Sequence, residues 1–67
     1  MFEQAEIEYI NEIIASDDVV KYSKRTLKAL YVIYDKHNET KTTDCFCSLT
    51  VRKIYFKSFV EWYEKNT

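Results

Sequence analysis

The 67-residue chain contains neither glycine nor proline. Glycine supplies the positive-φ positions of tight hairpins and the loops that let a backbone approach a phosphate, and proline supplies sharp breaks. Without them, the β and α/β architectures that depend on such turns are disfavoured, and nucleotide-cradling loops are excluded. What remains is a small helical fold. A chain of this length forms one domain and buries only about 60% of its unfolded surface. It cannot house an active site shared between two lobes. The expected fold is all-α, a small three-helix bundle formed by a single helical domain over residues 1–67.

Hydrophobic periodicity places the three helices. In the first segment, about residues 2–15, Ala5, Tyr9 and Ile13 join Phe2, Ile7, Ile10 and Ile14 on one broad arc, opposite Gln4, Glu8, Asn11 and Glu12. Ser16-Asp17-Asp18 reads as a polar joint with N-cap chemistry. A second helix over about 19–37 gathers Tyr22, Leu27, Leu30, Tyr31, Ile33 and Tyr34 on one half of its wheel. Asn38–Asp44 is a loop by its Thr, Asn and Asp content. The third helix, about 46–65, has a wide apolar face of Leu49, Tyr55, Phe56, Phe59, Val60, Trp62 and Tyr63. None of these helices is long enough to be stable alone, so they must pack together or against another chain.

Charge is unevenly spread. Residues 1–18 hold six acids and no Lys or Arg, whereas residues 19–42 hold six bases against two acids. The first two helices are therefore expected to complement each other within the fold. No apolar run approaches the ~18–20 residues that span a bilayer, so no membrane partner is expected. The start Met1-Phe2-Glu3 lacks the basic and apolar regions of a secretory leader. Cys45 and Cys47, separated by one residue, cannot close an unstrained disulfide, which suits a reducing cytoplasm.

Four features could carry function. Arg52 falls inside the apolar arc of the third helix, between Phe59 and Tyr63. Its head must be paired there, either structurally by an acid of the first helix (Glu3 and Glu6 lie nearest its apolar side) or by a helix C-terminal carbonyl, or functionally by an anion or partner. Cys45, Cys47, Asp44 and His37 invite a metal reading, but structural zinc uses four ligands, commonly in two pairs, and the chain has one histidine and no second cysteine pair. The cysteines are accordingly expected to be small packing residues that close the loop, and no metal, cofactor or catalytic residue is expected.

Lys21, Lys24, Arg25 and Lys28 follow i, i+3, i+4, i+7 spacing, a stripe able to track a phosphate backbone. Against nucleic acid stand an isoelectric point near 5.7 and a loop longer than the turn of about three to four residues in a helix-turn-helix. Finally, aromatic residues make up 16% of the chain, with Tyr55, Phe56, Phe59, Trp62 and Tyr63 crowded into the third helix, while Val32, Val51 and Ile54 fall on faces that should be polar. Aromatic side chains and arginine are enriched at protein interfaces. The candidate partner-binding set is therefore Arg52, Tyr55, Phe59, Trp62 and Tyr63.

From Leu27 to Tyr63 the pattern L-x-x-L-Y-x-x-Y-x-K-x-N, then C-F-C-S, R-K-x-Y and F-x-x-W-Y, resembles short uncharacterised helical proteins encoded by tailed bacteriophages. The resemblance covers just over half the chain and implies an accessory role, as a minor virion component or a binder of host machinery. It implies no catalytic residues. The combined expectation is a non-enzymatic protein of the host cytoplasm or the virion that binds another protein or itself. Its alternative is a small nucleic-acid-binding regulator using Lys21, Lys24, Arg25 and Lys28.

Overall fold

A computed structural model describes residues 2–67. Among these the fold is all-α, with four helices in the order α1 (Gln4–Ile14), α2 (Asp18–Lys21), α3 (Lys24–Asn38) and α4 (Leu49–Lys65). Three are the long elements anticipated from periodicity. The fourth arises because the expected 19–37 helix is broken near its start.

The break has a local cause. Asp17 caps α2 by accepting the Val20 N–H at 3.1 Å, but after one turn Tyr22 leaves helical geometry and Ser23 is extended, at φ −72° and ψ 149°. Ser23 then caps α3, its Oγ accepting the Thr26 N–H at 3.1 Å. Two capping residues six apart thus restart the helix, and the β-branched pair Val19-Val20 adds little propensity to resist this. The expected three-helix bundle is in this respect corrected to three long helices and a single-turn one.

The other boundaries shift for similar reasons. Phe2 is not helical; it packs its ring against Trp62 and Tyr63, with centroids 5.1 Å apart in each case. α4 starts at Leu49, not near residue 46, because Phe46 has φ 54°, a left-handed conformation that no right-handed helix includes. Ser48 is its N-cap.

The core combines Ile10 and Ile13 of α1, Leu27, Leu30 and Tyr31 of α3, and Phe56, Phe59 and Tyr63 of α4, with Phe46 inserted from the α3–α4 connection. More than half of this set is aromatic, which lets few side chains fill a small interior. The rings meet mainly edge-on: Tyr22 on Phe56 at 5.3 Å, Tyr31 on Tyr55 at 5.1 Å and Phe46 on Tyr55 at 5.0 Å. Buried hydroxyls find partners, the Tyr31 O–H donating to the Tyr55 carbonyl at 2.7 Å and the Tyr63 O–H to Asn11 Oδ1 at 3.2 Å. Burial pushes the Tyr31 phenol well above its usual range, with Tyr34, Tyr55 and Asp35 nearby adding to the effect.

Candidate interaction site

The five aromatic and arginine candidates separate on burial. Phe59 is fully enclosed and Tyr63 nearly so, so both belong to the core and offer no surface in this fold. Arg52 is half-buried and its head is already engaged: Nε donates to the Tyr22 carbonyl at 2.6 Å and Nη1 to the Phe46 carbonyl at 2.7 Å. The Tyr22 carbonyl lies at the C-terminal end of α2, where a short helix leaves acceptors unmatched. Arg52 therefore ties the end of α2 to the α3–α4 connection. Of the two structural pairings expected for it, the helix-end carbonyl is the one found. Glu3 and Glu6 lie elsewhere.

Tyr55 and Trp62 are only half-buried and line one groove. It has a volume of ≈680 Å3 and is open along one side. Its lining comes from Tyr31 and Tyr34 of α3, from Ile54, Tyr55, Ser58 and Trp62 of α4, and from Thr40–Asp44 of the connection as a wall. Ile54 is 60% exposed, an apolar side chain held on a regular helix beside partly open rings. Trp62 packs against Phe2, against Tyr34 at 4.9 Å and against Phe59 at 5.4 Å.

The wall formed by the connection is held by specific bonds. Asp35 accepts the Thr40 hydroxyl, the Thr42 hydroxyl and the Thr42 N–H, all at 2.8 Å. Burial alone would raise the Asp35 carboxyl, but the Thr42 N–H and the two hydroxyls outweigh it and hold the group below its usual range. Further along, Asp44 Oδ1 accepts the Phe46 N–H at 2.7 Å and Arg52 takes the Phe46 carbonyl. Phe46 itself is 2% exposed. In the sequence this wall is only a polar loop followed by Phe46 between two cysteines, and neither pattern marks the bonds that hold it.

The basic candidates do not form one continuous helical stripe, because Lys21 belongs to α2 and Lys24, Arg25 and Lys28 to α3 on the far side of the break. Lys24, Arg25 and Lys28 are nevertheless exposed, and among the described residues none of the four is in an ion pair. The expected complementarity of the acidic and basic segments is confined to one end of α3. There Lys36 Nζ lies 3.0 Å from Glu3 and 3.3 Å from Glu6, and His37 Nε2 lies 2.9 Å from Glu6 Oε1. Glu6 also accepts the Glu3 N–H at 3.0 Å. Its side chain is 11% exposed; that burial would raise the carboxyl, but the Glu3 N–H, the His37 ring and the Lys36 ammonium prevail and hold its pKa at about 2. This Glu6–His37 contact was not anticipated and joins α1 to α3.

Cys45 and Cys47 are both exposed, which corrects the expectation that they pack inward; Phe46 takes that place. The Cys45 thiol is lowered by hydrogen bonds from the Cys47 thiol and backbone N–H, and the Cys47 thiol is raised chiefly by the same contact with Cys45. Among the described residues no group of three or more His, Cys, Asp or Glu side chains is arranged to hold a metal, and no helix is long and apolar enough to cross a membrane. Comparison with protein-family models, with curated proteins and with solved structures gives no match.

Proposed function

We propose that this chain is a small non-enzymatic accessory protein, of the kind tailed phages encode, that binds another protein through the groove between α3, α4 and their connection, in the host cytoplasm or in the virion. The observation that carries the reading is the exposed Ile54 beside the half-buried Tyr55 and Trp62 on one regular helix, all three lining the groove. Aromatic anchors on a regular element are the usual centre of a binding energy hot spot, and a groove of this volume can take one or two side chains of a partner. The earlier set narrows to Tyr55 and Trp62, joined by Ile54 and Tyr34.

A second reading rests on a different observation. Lys24, Arg25 and Lys28 stand exposed and, among the described residues, form no ion pair with an acid, which supports contact with a phosphate backbone by a small regulator. One experiment separates the two. The tagged protein is recovered from the producing cells as wild type, Ile54→Asp and Lys28→Glu. Loss of a specific co-purifying protein with Ile54→Asp alone supports the groove. Binding to non-specific DNA that falls steeply with salt and is lost with Lys28→Glu supports the regulator. Sedimentation of the purified chain shows whether the groove's partner is a second copy, as a concentration-dependent mass abolished by Ile54→Asp.

A further inference from the structure

The exposed cysteine pair has a built geometry that its sequence spacing did not suggest. Phe46, between the two cysteines, is fixed three ways: its ring is buried in the core, its N–H donates to Asp44 Oδ1, and its carbonyl accepts from Arg52. With the middle residue turned inward at φ 54°, Cys45 and Cys47 are both left at the surface. The two side chains interact, and the Cys47 thiol donates to the Cys45 carbonyl at 3.8 Å. Lys24, from the first turn of α3, brings its Nζ to 3.8 Å from Cys47 Sγ. A dithiol and an ammonium thus meet from two distant parts of the chain.

We propose that Cys45 and Cys47 form a two-thiolate site for one soft monovalent d10 cation, Cu(I) above all, with Lys24 as its counter-charge. Thiolates select soft metals over hard ones. Two thiolates around a monovalent cation leave one net negative charge, which the Lys24 ammonium cancels. A structural zinc ion needs two more ligands, and no third His, Cys, Asp or Glu completes such a set among the described residues. Cu(I) is satisfied by two sulfurs. Loading releases the two thiol protons to solvent and changes no oxidation state.

The test uses the full chain, reduced and under nitrogen, titrated with Cu(I) delivered as a coloured bicinchoninate complex in the presence of excess glutathione. The proposal expects one Cu(I) withdrawn per chain. Cys45→Ser and Cys47→Ser should each weaken binding by about 100-fold, the advantage of two linked ligands over one, and Lys24→Gln by about tenfold. Circular dichroism should be unchanged in all three, since every replaced side chain is exposed. Failure to compete with glutathione, wild-type affinity in either single serine variant, or one Cu(I) shared by two chains would each overturn the proposal. So would uptake of one zinc ion per chain in preference to Cu(I).

Discussion

The chain changes direction twice between its long helices, and the two connections are built by different means. From α1 to α3 it passes through Ala15–Ser23 with a single helical turn on the way, and each restart is secured by a side chain three residues from the N–H it caps: Asp17 for Val20, Ser23 for Thr26. From α3 to α4 it passes through Glu39–Ser48, secured by side chains of the two flanking helices, Asp35 and Arg52, and by the buried Phe46 ring. The first connection is capped by its own residues and reached from α4 only at the Tyr22 carbonyl, whereas the second is held by its flanking helices and by a ring sunk in the core. The second also lines the groove proposed as a binding face, through Thr40–Asp44.

Both ends of the second connection show what the lack of glycine entails. Glu39 ends α3 at φ 54° and Phe46 adopts the same φ, a conformation costing a residue with a Cβ about 1–2 kcal/mol. At Glu39 nothing but helix termination requires it. At Phe46 it is the condition for burying a ring.

Phe46→Ala should therefore break the second connection most severely, by about 3 kcal/mol in urea unfolding, because it empties a core position. Phe46→Gly should remain strongly destabilising although it relieves the backbone, which separates the ring's contribution from the strain. Arg52→Met should come next, at about 2–3 kcal/mol, from two lost charge-assisted hydrogen bonds; protease nicking within 39–48 should increase with it. Ser23→Ala, which tests the first connection, should cost about 1 kcal/mol and leave that nicking unchanged. Glu39→Gly should stabilise by about 0.5–1 kcal/mol, since glycine accepts the left-handed geometry freely.

Acid should affect the α1–α3 seam and the second connection together. The Glu6 carboxyl is lowered from 4.5 to about 2 in the fold and Asp35 is also lowered. Their stabilisation is complete above the ordinary carboxylate range and is lost as pH falls through the folded values. The melting temperature should thus drop between pH 5 and about 2, with a shallower drop in Glu6→Gln.

The helical class and the three long helices were legible because amphipathic periodicity and missing turn residues are properties of the chain itself. The α2–α3 break was legible in principle from Ser23 and Thr26, but a continuous apolar arc through Tyr22 and Leu27 masked it. Phe46 was not legible, because its burial depends on Arg52 and Asp44 meeting it in space. The same dependence hid the groove: Tyr55 and Trp62 were singled out together with Phe59 and Tyr63, since a wheel cannot tell which rings a neighbouring helix covers. For Arg52 the need for a partner is legible, and so is the helix-end carbonyl as one of two structural pairings; that the carbonyls are those of Tyr22 and Phe46 carries no mark in the sequence.

The most direct test of the groove as a protein-binding face is photo-crosslinking in the producing cells from a benzophenone side chain at Ser58, within the groove, compared with one at Lys28 on the basic face and one at Glu8 on α1. The account predicts a discrete protein adduct from position 58 and none from positions 8 and 28. Adducts of similar yield from all three positions, or a nucleic-acid adduct from position 28 alone, would contradict it.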